Sequence, residues 1–341
     1  MIDIEKYRSS FEAELDSAGE IRIGLNFSMA PSQVLFELDE EAYKEQLLEY
    51  VERLKEDHRE TVLQTFPAPI AYFYQQSYSA FDNENHRLHL LRSTWESIVF
   101  ILYALVLGEV CCKGFGLSDI RIFNNQKIKV NDYGILSNSL GYKIELIQRI
   151  IAYDQTNNNA LDISNSLEVD MLDKLGELNQ ARNSISHISA LSPSEAAARY
   201  EALLPVVSDL LFEMDFLSNV TIVRYVGNGS SIQDLRFNKF DGHSLQKQNY
   251  DRRVTSSELA TLSPVLKDHI ILVEFDDLLF TISPLIHFTI EGANLRLCYY
   301  KQMDRNTDEA IFEIIAGSKR EKRILNTSLP DGIFIKLSGL V

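Results

Sequence analysis

The chain has 341 residues, 45% of them hydrophobic and 24% charged, with 33 basic against 49 acidic side chains and a formal net charge of −16. With only 15 Gly and 8 Pro, collagen-like and low-complexity chains are excluded. Three cysteines, two of them adjacent at Cys111 and Cys112, cannot build a disulfide framework and read as reduced thiols. The first residues, Met1 to Glu5, lack the basic and apolar regions of a signal peptide. The longest apolar run, Ile98 to Leu107, falls short of the ~20 residues of a membrane span. A cytoplasmic protein without a membrane partner is the expectation.

The charge is unevenly spread. Residues 1–64 hold 16 acidic and 7 basic side chains, net −9; residues 65–217 hold 18 and 11, net −7; residues 218–341 hold 15 of each, net zero. A broad basic track for nucleic acid is therefore excluded from the first two regions, because phosphate contacts need clustered Lys and Arg. A cleft with a few phosphate contacts remains compatible with the total.

Residues 1–36 mix strand-like pieces such as Ile21 to Leu25 with a break at Pro31. From Leu38 to Leu63, apolar residues at Leu47, Leu48, Val51 and Leu54 recur at helical spacing among Glu, Lys and Arg, predicting one charged amphipathic helix. Pro67 and Pro69 end it. An aromatic helix follows over 70–80, and Asp82 to Asn85 read as a turn and cap. The next helix, about His86 to Lys113, is apolar on nearly every face in its middle and must be buried on all sides. Helices are further predicted at 139–154, 166–189 and 194–216, giving an antiparallel bundle over 65–217. Pro193 suits the first turn of the last one.

At Ser218 the pattern changes to short β-branched and aromatic runs at 219–226, 233–240, 269–275, 278–282, 285–291, 295–301, 310–316 and 332–337. Asp276-Asp277 and Glu291 to Asn294 read as hairpin turns. The expected fold class is α+β, an all-α bundle followed by a small antiparallel β-barrel or sandwich. The expected domains are an acidic N-terminal segment (1–64), the bundle (65–217) and a β-rich domain (218–341).

Phosphate loops, dinucleotide turns, nucleophile elbows and paired Cys-x-x-Cys zinc spacing are absent from the sequence. No cofactor and no metal are expected. His86 and His89 form an i,i+3 pair that reads more simply as a solvated helix start than as a metal site. Cys111 and Cys112 read as small apolar fillers.

The segment Leu178 to Ile188 stands apart. On a helix, Leu178, Ala181, Ile185 and Ile188 share one core-facing stripe, while Asn183 and His187 lie one turn apart on the opposite face. Arg182 sits at the flank, where its side chain reaches toward His187. Imidazole, guanidinium and carboxamide together suit phosphodiester chemistry. Histidine exchanges a proton near neutral pH, and guanidinium binds phosphate and its transition-state charge.

Arg182-Asn183-Ser184-Ile185-Ser186-His187 is an R-x4-H motif that resembles the hallmark of the HEPN superfamily. Phe66 to Tyr72 and Leu91 to Glu96 resemble the earlier parts of a HEPN-like module of prokaryotic defence and signalling proteins. Asp241-Gly242, Ile271 to Val273 and Ile282 to Pro284 resemble, more weakly, features of the β-rich domain that follows some of these modules. The resemblance implies a metal-independent endoribonuclease in antiviral or stress defence, acting as a homodimer with one composite cleft. Arg182, Asn183 and His187 are then the catalytic set. Glu96 is a carboxylate supporting them, or else a helix-surface ion-pair partner. RNA is the implied partner. The alternatives are a non-catalytic HEPN module that binds RNA or assembles with a defence ATPase or nuclease, and the toxin of a toxin–antitoxin pair.

Lys319, Arg320, Lys322 and Arg323 make the densest basic cluster, read either as an RNA-backbone contact or as a solvated loop between strands. Tyr299 and Tyr300 precede it on a predicted strand. Alternation points one of them outward, where a base could stack on it.

Overall fold

A computed structural model of the chain describes every residue except 1–3, 24–26, 132–133, 158, 187–190, 265, 267–270, 305, 316, 318–319 and 330–337, and the side chains at 124 and 183–186 are likewise outside it. Two compact units are present, Met1–Thr61 and Val62–Val341.

The first unit contains α1 (Arg8–Asp16), the strand pair β1 (Ile21–Arg22) and β2 (Ser28–Met29), α2 (Pro31–Leu38) and most of α3 (Glu40–Thr65). Its core is small. Phe11 of α1 packs edge-on against Tyr43 of α3, with Leu47 and Val51 completing the stripe.

The second unit begins with helices α4 (Ala68–Ser79) and α5 (Glu84–Lys113), followed by the short strands β3 (Arg121–Ile122) and β4 (Gln126–Lys127). Then come α6 (Leu140–Asn157), α7 (Asp162–Ser166), α8 (Val169–Ser186) and α9 (Pro193–Glu213). The sequence dictates several of these ends. The Asn83 side chain accepts from the His86 amide and starts α5, and Gly114, in the left-handed region at φ +66°, stops it. Ser192 and Glu195 form a reciprocal capping box at α9, with Pro193 in the first turn.

The remaining strands are β5 (Thr221–Asn228), β6 (Asp234–Lys239), β7 (Gln248–Arg253), β8 (Ile271–Phe275), β9 (Leu278–Thr281), β10 (Ile286–Glu291), β11 (Asn294–Asp304), β12 (Glu309–Ile314) and β13 (Glu321–Leu325). The helix α10 (Ser256–Leu262) lies between β7 and β8. They form two antiparallel sheets, β7-β6-β5-β8-β9 and β10-β11-β12-β13, curled as a half-barrel. Where a small barrel or sandwich is expected, the described residues form a curled half-barrel. Asp276 and Asp277, both at positive φ, make the tight β8–β9 turn as expected.

The division at 217/218 separates helix from strand but not one core from another. A single apolar core joins Trp95, Ile98, Leu102 and Leu210 of the helices to Ile222, Val273, Phe280, Leu297 and Tyr299 of the sheets. At Gly108 the backbone of α5 lies close against β9. A Cβ there would stand 2.7 Å from the Phe280 ring on β9. The opposite faces of the sheets have their own smaller cores, around Phe237 with Leu262 of α10, and around Phe312 with Tyr300.

The helix α5 contains an 18-residue window of mean hydropathy 1.8, long and apolar enough to cross a membrane, and 83% of that window is buried inside the protein. The unbroken apolar run is short, but the whole helix meets the length of a span; protein covers it here.

Candidate functional site

Between Leu88 and Cys111, α5 is buried on nearly all sides. One stripe alone reaches solvent: His89, Arg92, Ser93, Glu96 and Phe100, spaced as neighbours on one helical face. Charge is scarce here, since Arg92 and Glu96 are the only ionic side chains between Leu88 and Gly108.

The stripe is met by α8. Arg182 Nε donates to Glu96 Oε1 at 2.6 Å, with the two side chains 33% and 19% exposed. Arg92 Nε lies 3.4 Å from the same oxygen, too poorly aligned to form a hydrogen bond. One carboxylate oxygen thus sits between two guanidinium groups from different helices. Partial burial, then the charge of Arg92, holds the His89 imidazole below histidine's ordinary value, against the opposing charge of Glu96.

The sheet borders the same stripe. Tyr299 of β11 stacks on Phe100, ring centroids 4.5 Å apart and planes within 12°. Its register partner on β12 is Glu313. Glu313 reaches solvent but is crowded by protein, and desolvation holds its carboxyl above the usual range. Glu96 and Glu321 add to that rise, while Lys301 and Arg92 oppose it.

Of the residues singled out in the sequence, Arg182 and Glu96 come together as an ion pair. His187 lies outside the described residues, as does the side chain of Asn183, whose backbone is helical within α8. In the basic cluster, Lys319 lies outside the described residues and Arg320 is exposed. Lys322 turns inward on β13, donating to the Phe288 carbonyl at 2.7 Å. Arg323 pairs with Asp304 at 3.3 Å and Glu309 at 3.6 Å. The strand alternation of β13 therefore sends neighbouring cations different ways.

The expectation of one outward tyrosine is corrected. Tyr299 and Tyr300 are both buried, at 3% and 4% exposure, because β11 has protein on both faces. His86 faces Asp82 at the start of α5, 3.3 Å away. Among the described residues no group of three His, Cys, Asp or Glu side chains is placed to hold a metal. Cys111 is buried and Cys112 exposed, so the filler reading fits only the first.

Sequence reasoning missed Arg92. Its i,i+4 relation to Glu96 on an otherwise apolar helix was the available signal. Chemically, the arrangement is a carboxylate held between two guanidinium groups, which gathers the charge of both arginines at one partly exposed point. No protein-family model, no curated protein and no solved structure matches the chain.

Proposed function

We propose that the chain is a HEPN-type endoribonuclease of prokaryotic antiviral or stress defence, acting in the cytoplasm as a homodimer. The observation that supports this reading best is the 2.6 Å pair between Arg182 and Glu96, in which the arginine of the R-x4-H motif meets the accessible stripe of a buried helix. Glu96 fixes the direction of the guanidinium; Arg182 binds the scissile phosphate and the extra charge of its transition state. His187 takes the proton of the RNA 2′-hydroxyl as that oxygen attacks phosphorus. The bond from phosphorus to the 5′-oxygen breaks, and a second acid, His187 of the partner subunit in a composite cleft, protonates the leaving oxygen. Asn183 orients the imidazole or the phosphate. The products are a 2′,3′-cyclic phosphate and a 5′-hydroxyl, and the proton balance closes with these residues.

Purified protein incubated with single-stranded and structured RNAs in EDTA tests this. The expected result is cleavage leaving cyclic phosphate ends, slowed by about a hundredfold or more in His187→Ala and Arg182→Ala. Cleavage that requires a divalent metal, or that survives both substitutions, sinks the mechanism.

The same ion pair favours a second reading, because a guanidinium locked to a carboxylate also works as a strut between α5 and α8. A non-catalytic module for RNA binding or for assembly with a defence ATPase or nuclease, or a toxin silenced by its partner, would use the bundle in that way. RNA binding without cleavage, unchanged in His187→Ala, selects it.

A further inference from the structure

Two arginines share one carboxylate at this site, and a strut needs only one of them. Arg182 already satisfies Glu96 Oε1 with a short hydrogen bond, while Arg92 approaches the same oxygen at 3.4 Å without forming one. Within α5 the order is also the weaker one for helix stability, with the cation four residues before the anion. Arg92 is 24% exposed, so the chain keeps a half-buried cation on its longest described helix, where its charge also acts on Glu313 of β12. In a protein of net charge −16, this point of the surface brings two guanidinium groups to one carboxylate oxygen.

We propose that Arg92 is a second phosphate-binding residue, forming with Arg182 a two-guanidinium clamp on one RNA phosphodiester, with Glu96 as the spacer between them. This rests on the ribonuclease reading above and deepens it by assigning how the substrate is held. A phosphodiester has two non-bridging oxygens, and guanidinium groups approaching from α5 and from α8 can each take one. Glu96 sets their separation before RNA arrives.

The test uses the full chain and a fluorescent single-stranded RNA carrying 2′-O-methyl groups, which binds but cannot be cut. Affinity is measured by anisotropy across a salt series. Arg92→Gln is expected to weaken binding about tenfold, the effect of removing one charge-assisted hydrogen bond. The slope of log affinity against log salt should shrink by about 0.7, the value for neutralising one phosphate fewer on a single strand. Arg182→Gln should do the same. Arg92→Lys should keep the slope yet recover only part of the affinity, because a point charge replaces a planar fork. Arg149→Gln, on α6 beside Glu145, should change neither quantity.

An unchanged slope and affinity in Arg92→Gln, with both reduced in Arg182→Gln, overturns the clamp and leaves the ribonuclease reading standing. No response in either variant overturns both. Should Arg92→Gln fail to fold, Arg92→Lys decides alone, and an affinity equal to that of the unmodified chain refutes the clamp.

Discussion

The helices α3 and α5, of 26 and 30 residues, use polar and apolar residues in opposite ways. In α3 charged side chains are the background, and the informative residues are the few apolar ones, Tyr43, Leu47 and Val51, which anchor the small core of the first unit. In α5 apolar side chains are the background, and the polar ones carry the information. His89, Arg92 and Glu96 form its solvent-facing stripe. Glu109, 1% exposed, accepts from the Asp162 amide at 2.6 Å and the Ile163 amide at 3.2 Å, and pairs with Lys113 at 2.8 Å. A buried charge costs free energy unless it is paired and hydrogen-bonded, so each one kept in α5 has a definite task. In α3 the same residue types are mostly exposed, as in the Lys44–Glu40 pair, whose side chains are 58% and 57% exposed.

Three measurements would break or sharpen this contrast. The largest effect is expected for Glu109→Ala, which orphans two amides at the start of α7 and removes one partner of Lys113. Stability of the second unit should fall by about 4 kcal/mol, read from hydrogen exchange of α5 amides. A loss below about 1 kcal/mol would place Glu109 with the exposed charges of α3. Next, Leu47→Ala should destabilise the first unit by about 3 kcal/mol through the cavity it leaves. Exchange at α3 amides checks this, and an effect as small as that of a surface substitution would mean that the α3 stripe is not a core.

The smallest effect concerns a charge packed against α5. Lys143 of α6 is 3% exposed, donates to the Ser137 carbonyl at 2.7 Å and lies 4.3 Å from the Tyr103 ring centre. Burial pushes its pKa down to about 7. Between that value and the ordinary lysine pKa of about 10.4, the unfolded chain binds more protons than the folded one, so stability rises with pH. From pH 7 to 9 the gain should reach about 2 kcal/mol, and Lys143→Met should lack that contribution. Urea midpoints of both proteins at the two pH values test it. Parallel pH dependence in the two proteins would show that Lys143 keeps an ordinary pKa.

Much of the helical architecture is legible in the sequence because periodicity and caps act locally. The helix expected over Leu38 to Leu63 is Glu40–Thr65, and the one expected from His86 ends at Lys113 as expected. Two strands are hidden in the sequence for one physical reason. Among the described residues β7 (Gln248–Arg253) and β13 (Glu321–Leu325) are edge strands, largely exposed and rich in charge, so their composition resembles loops. By composition, β13 reads only as a basic cluster. At the site, the motif singles out Arg182, and the position of Glu96 on the long buried helix marks it as a supporting carboxylate. For Arg92 the sequence offers only its i,i+4 relation to Glu96; that α8 reaches the same carboxylate is a contact between residues 86 positions apart, which no local pattern announces. The expected strand at 332–337 lies outside the described residues.

The close approach at Gly108 bears on how such a chain could change over evolutionary time. Because the Phe280 ring of β9 rests where any side chain at Gly108 would be, the two surfaces have to vary together. A recombination event at residue 217 would pair α5 with a sheet not shaped to it, and the product would expose an apolar helix. Relatives of this protein should therefore inherit the bundle and the β half as one block.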